Sequence, residues 1–185
     1  MRETESSAPS TCITRWVSLQ VVIEAQVSAI REALYRQDRI AANALVANGT
    51  ELNIFDAAAL GDVALCRDLL NKDAALVQAW SSDGFTALHF AAYLGGPGVT
   101  RLLIDSGADI SAVARNAMLV QPLHSAAALG DVAVCRALLD AGADPNAAQQ
   151  GGFRPLDEAL INKNKPLASL LREYGAHVSG IPHPL

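Results

Sequence analysis

The chain has 185 residues, enough for one good-sized domain, and its 51% apolar and 18% charged residues are a globular composition, not that of a disordered tail. Lys and Arg number 14 against 19 Asp and Glu, a formal charge of -5 with no basic stripe, which disfavours nucleic acid and gives no polybasic segment for an acidic membrane surface. Aromatic residues make up only 5%, and the dominance of Ala and Leu favours closely packed short helices over a sheet core.

In chain order, residues 1–23 read as a partly disordered leader. Glu3 and Glu5 stand early, and no apolar core leads to a small-residue cleavage site, so the start does not match a secretory signal. The stretch 13–30 is apolar, but Arg15, Gln20, Glu24 and Gln26 interrupt it well short of the roughly 20 apolar residues a membrane span needs. Its expected role is to cap the unit that follows; association of two copies through it is the alternative to a monomer. Three cysteines without a CxxC or Cys/His cluster predict free thiols in a reduced compartment, with the cytoplasm as default. Cys12, in the leader, is the one that an exposed, reactive role would fit.

Residues 24–52 predict a helical cap, with Gln37 and Asp38 where later units carry Gly and Asp, and Gly49 closing it. Three further units then follow at 53–81, 82–113 and 114–148. AAALGDVALCRDLL at 57–70 recurs as AAALGDVAVCRALL at 126–139, identical at twelve of fourteen positions, and AAYLGGPGVTRLLI stands midway at 91–104. Flanks recur as well: GFTALHFAA at 84–92 with QPLHSAA at 121–127, and SGADIS at 106–111 with AGADPN at 141–146. A last unit, 149–178, runs from GGFRPLDEAL to REYGAHV, with 179–185 as a tail. A period of about 34 residues predicts a repeat architecture in which no unit buries enough apolar surface to fold alone.

Within each unit, paired alanines (Ala57, Ala58, Ala91, Ala92, Ala126, Ala127) suit a first helix that stacks on both sides. Leu69, Leu70, Leu102, Leu103, Leu138 and Leu139 predict the core stripe of the second helix. Gly61, Gly95 and Gly130 are expected to end the first helix in a left-handed conformation, with Asp62 and Asp131 capping the second. Thr86 is the expected cap of the first helix in its unit. Leu119 in place of a turn glycine, and Gln121 in place of threonine, predict altered loop geometry at 114–121. The run GGPG at 95–98 predicts a distorted turn, with Pro97 near a helix start.

Gly84, Thr86, Leu88, His89, Ala91, Ala92, Gly95, Leu102, Leu103, Gly107, Ala108 and Asp109, matched by Pro122, Leu123, His124, Ala126, Ala127, Gly130, Leu138, Leu139, Gly142, Ala143, Asp144 and Asn146, resemble the ankyrin-repeat family. The resemblance implies an all-α solenoid of stacked helix-turn-helix units with projecting β-turn loops. It also implies that His89 and His124 tie neighbouring turns together. His177 and His183 lack partners at ligand spacing. Cys66 and Cys135, two units apart, are expected to be buried and beyond disulfide reach.

The family likeness further implies a partner in a concave groove made by loops and first helices. By position the groove takes Trp80, Ser82, Asp83, Phe85, Met118, Val120 and Phe153 from the loops. Tyr93, Leu94, Leu129 and Asn162 come from the helices, with Leu60 and Ile161 on the floor. Aromatic residues and Met are enriched in binding hot spots. Equally, Phe85 and Phe153 could cover the turn beneath them and Trp80 could pack between loops. The expected function is a protein-interaction scaffold. Alternatives are a regulatory or inhibitory, antitoxin-like subunit of an enzyme, or a small-ligand binder. No Ser/His/Asp or Cys/His arrangement, phosphate loop or paired carboxylates accompanies the scaffold, so neither catalysis nor a cofactor or metal is expected.

Overall fold

The structure is a computed structural model that describes residues 28–180; the leader, Cys12, His183 and the last five residues of the tail lie outside them. Among the described residues ten α-helices follow in pairs and no strand forms. The inner helices are α1 (Ala29–Tyr35), α3 (Ile54–Leu60), α5 (Ala87–Phe90, continued by a wide turn Ala91–Gly95), α7 (Pro122–Leu129) and α9 (Pro155–Ile161). Their outer partners are α2 (Arg39–Ala47), α4 (Val63–Lys72), α6 (Pro97–Asp105), α8 (Val132–Asp140) and α10 (Lys165–Glu173).

Inner helices pack on one another in sequence order from α1 to α9, and outer helices do the same from α4 to α10. Small side chains make this possible. Ala57, Ala58, Ala91, Ala92, Ala126 and Ala127 are fully buried between neighbouring layers, so the alanines of the twin fourteen-residue stretches occupy matching environments. Leu103, Leu138 and Leu139 are buried in the outer layer, whereas Leu69, Leu70 and Leu102 are only partly covered. For Leu69 and Leu70 the cause lies in the first pair, where α2 rests on α1 and barely touches α4, leaving Cys66 as the buried residue of α4. Both Cys66 and Cys135 are completely buried, and burial pushes their thiols up to about 12.

Four of the five outer helices start on side-chain caps. Asp38, Asp62, Asp131 and Asn164 accept from the backbone N–H of Ala41, Leu65, Val134 and Leu167 at 2.8–3.1 Å. Gly61 and Gly130 close their inner helices in the left-handed region at φ 78° and 82°. Gly95 does not: the left-handed residue here is Gly96, at φ 82°. Gly95 is needed for another reason, because a Cβ at this position would lie 2.0 Å from the carbonyl oxygen of Ala58 in the layer below. In the first and last units Gln37 (φ 60°) and Lys163 (φ 54°) hold the left-handed position without glycine. Pro97 sits in the first turn of α6, where its missing N–H costs nothing.

Candidate partner-binding surface

The third residue of each inner helix organises the loop side of the stack. Asp56, His89, His124 and Asp157 all stand there, and each accepts from the backbone N–H of the residue that caps its own helix: Asn53, Thr86, Gln121 and Arg154. Thr86 is the N-cap of α5, with extended dihedrals, and its hydroxyl meets His89 Nδ1 at 2.8 Å. Because Nδ1 accepts, each histidine carries its proton on Nε2. His89 Nε2 donates to Val120 O at 3.1 Å and His124 Nε2 to Ala147 O at 2.9 Å, each in the next loop. Histidine is suited to the interior of the stack because it accepts on one side and donates on the other. In the last described unit Asp157 stands at this position, and it accepts a further bond from Ser179 N–H at 3.1 Å.

Burial holds His89 and His124 neutral, with pKa lowered from 6.5 to about 4. Below pH 6.5 the unfolded chain takes up protons that the folded chain refuses, so this stability is present above 6.5 and is lost as pH falls towards 4. Each histidine is expected to remove about 2 kcal/mol by pH 5. Urea unfolding at pH 7 and pH 5 measures it, and equal stabilities at the two values would contradict the account.

A buried ion network ties the first unit to the next two. Arg31 of α1, 3% exposed, donates through Nε to Asp56 at 3.1 Å and through a terminal nitrogen to Asp83 at 3.2 Å. Its guanidinium carbon lies 4.9 Å from the ring centre of Phe90 and 5.8 Å from that of Phe55. Ser28 and Ser81 hydroxyls complete the set by donating to Asp56 and Asp83.

The loops form a ladder. Turns close from Gly84 N–H to Ser81 O, from Leu119 N–H to Asn116 O and from Gly152 N–H to Gln149 O. Adjacent turns are then joined by Arg115 N–H to Gly84 O at 2.8 Å and Gln150 N–H to Met118 O at 3.0 Å. The middle loop does differ in geometry: Ala114 N–H pairs with Val120 O across a wider span than the Ser81 and Phe85 pair, and Leu119 holds the left-handed turn position at φ 52°.

This arrangement separates the groove candidates. Asp83, Phe85 and Val120 are 5%, 3% and 1% exposed, so their side chains do not face a partner. Asp83 is drawn inward by Arg31; Phe85 packs against His89 and Phe90; and the carbonyl of Val120 receives His89. Trp80 is half-buried beneath the Arg115 guanidinium, 4.0 Å from its ring, and bridges to Thr86, as expected of a side chain between loops. Met118 and Phe153 are half-buried at the turns, and Ser82 is exposed. On the inner helices Tyr93, Leu94 and Asn162 are half-buried, and Leu129 is 49% exposed. Leu94, Leu129 and Asn162 stand five residues after the third helix residue of their units, and Leu60 precedes the closing glycine of its helix as Leu94 and Leu129 do. Sequence reasoning missed Arg31, because its unit is degenerate. The aspartates at 56 and 157, standing where the two units between them carry histidine, were the available signal that the second and last units are wired differently.

Among the described residues, no cluster of three or more His, Cys, Asp and Glu could hold a metal ion, and no helix is long and apolar enough to cross a membrane. The architecture is that of a stacked helical repeat protein with a laddered loop edge and a partly apolar inner face. The family model described as ankyrin repeats (3 copies) matches residues 54–149, more than half of the chain, and the chain belongs to the ankyrin-repeat family. No curated protein shows significant similarity to it. Ankyrin repeats are generally protein–protein interaction modules, typically without enzymatic activity of their own.

Proposed function

We propose that the chain is a scaffold that holds a protein partner on its inner face, along the row Leu60, Leu94, Leu129 and Asn162. The observation that supports this reading is Leu129. It is a large apolar side chain left 49% exposed in the middle of the row, between half-buried Leu94 and Asn162. Apolar side chains that recur at one position of successive helices make a continuous patch, the kind that marks an interaction surface. Tyr93, Met118, Phe153 and Ser82 border it. The same reading implies a monomer in the cytoplasm, where the buried thiols of Cys66 and Cys135 stay reduced.

Affinity capture from the source cells, followed by mass spectrometry, identifies the partner. Leu94→Asp with Leu129→Asp is then expected to weaken it at least about tenfold, the loss of one or two central contacts, with the helical circular dichroism signal unchanged.

A further inference from the structure

Among the described residues, the inner face carries a buried carboxylate with no counter-charge. Glu158 of α9 is 6% exposed. Among the described residues its carboxylate accepts one hydrogen bond, from Nδ2 of Asn162 one turn further on at 3.0 Å, and no ion pair reaches it. Oδ1 of the same Asn162 is buried and finds no hydrogen-bond partner among the described residues. Buried carboxylates are ordinarily paired, and buried acceptors ordinarily satisfied. Two departures on adjacent turns of one inner helix therefore call for an explanation.

The surroundings sharpen it. Burial raises the Glu158 pKa, opposed by the Asn162 amide, and neighbouring Asp157 raises it further. The Tyr93 hydroxyl, two units away, is itself raised by burial and then by Glu158. The intervening helix α7 carries small Ser125 and Ala128 at the positions that correspond to Glu158 and to Tyr93, both buried. The field of Glu158 thus extends over the inner face above α7.

We propose that Glu158 and Asn162 receive an arginine side chain of the protein partner. A guanidinium presents several donors in one plane and matches a carboxylate together with an adjacent amide oxygen, whereas an ammonium is a point charge. Docking supplies the missing counter-charge and satisfies Asn162 Oδ1 in one step. The site rests on the reading of the inner face as the binding face, and adds to it the chemistry of one contact.

The test uses the whole ¹⁵N-labelled chain, titrated with N-acetyl-arginine methylamide and with its neutral citrulline counterpart. The Asn162 side-chain amide and the α9 backbone resonances are expected to shift saturably, with arginine bound at least about tenfold tighter than citrulline, as a charge-assisted hydrogen bond provides. Glu158→Gln removes that preference. Asn162→Leu, which keeps the carboxylate, weakens arginine binding and serves if the glutamine variant does not fold. Equal shifts with both probes, shifts confined to other carboxylates, or no shift at Asn162 up to the solubility of the probe would overturn the proposal. Those results leave the inner face itself untouched, since the double aspartate variant reports on it separately.

Discussion

Gly95→Ala is expected to destabilise the chain by at least about 3 kcal/mol, more than most overpacking substitutions cost. The added Cβ would stand 2.0 Å from the carbonyl oxygen of Ala58. That atom belongs to the backbone of α3, so it cannot swing aside as a side chain would; the layers at α3 and α5 must separate or the backbone must distort. Gly61 faces the same contact from below, where a Cβ would lie 2.6 Å from the Gly95 carbonyl oxygen. Repeat stacks draw their stability from nearest-neighbour interfaces, so opening this one is expected to let the first two helix pairs unfold before the rest. Gly98→Ala is the control. Its Cβ meets only a side-chain methyl of Val63, at 3.3 Å, and its effect is expected to stay within about 1 kcal/mol, since alanine favours the helix by about that amount. Urea unfolding, followed by circular dichroism and by hydrogen exchange, separates the two variants; equal stabilities would show that the inner helices are not held in this close contact.

Arg31→Met is the second large effect. It leaves two carboxylates, Asp56 and Asp83, with side chains 2% and 3% exposed, facing one another without their cation. Removing one partner of a buried ion pair costs about 3–5 kcal/mol, because the remaining charge is left uncompensated. The triple variant Arg31→Met, Asp56→Asn, Asp83→Asn is expected to recover much of that loss, since neutral groups in the same place carry no charge penalty. A loss below about 1 kcal/mol in the single variant would mean that water reaches the network and that the first unit is not fastened by it.

The layered helices were legible because their cause is periodic. Paired alanines, leucine pairs and capping aspartates recur at fixed spacing, and each reports a local requirement that any layer must meet. The histidines were legible through the family resemblance, which implied a tie between turns. Side-chain exposure on the loop edge was not. Phe85 and Asp83 occupy turn positions that read as surface, yet Phe85 packs on His89 and Asp83 is captured by Arg31, which is 52 residues away in the sequence. Gly95 was legible as essential but with the wrong reason, since its role comes from the approach of Ala58 and not from its own dihedral angles. The lack of a counter-charge at Glu158 among the described residues is a property of the assembled face, which no local pattern in the sequence reports.

The measurement that bears most directly on the account is the titration of the captured partner against the wild-type chain and the Leu94→Asp, Leu129→Asp variant. A partner held on the inner face loses at least about tenfold in affinity to this variant, and keeps its affinity for Ala133→Asp with Arg136→Asp on the exposed side of α8. Undiminished binding to the inner-face variant, with loss on the α8 variant instead, would place the partner on the outer helices and contradict the account.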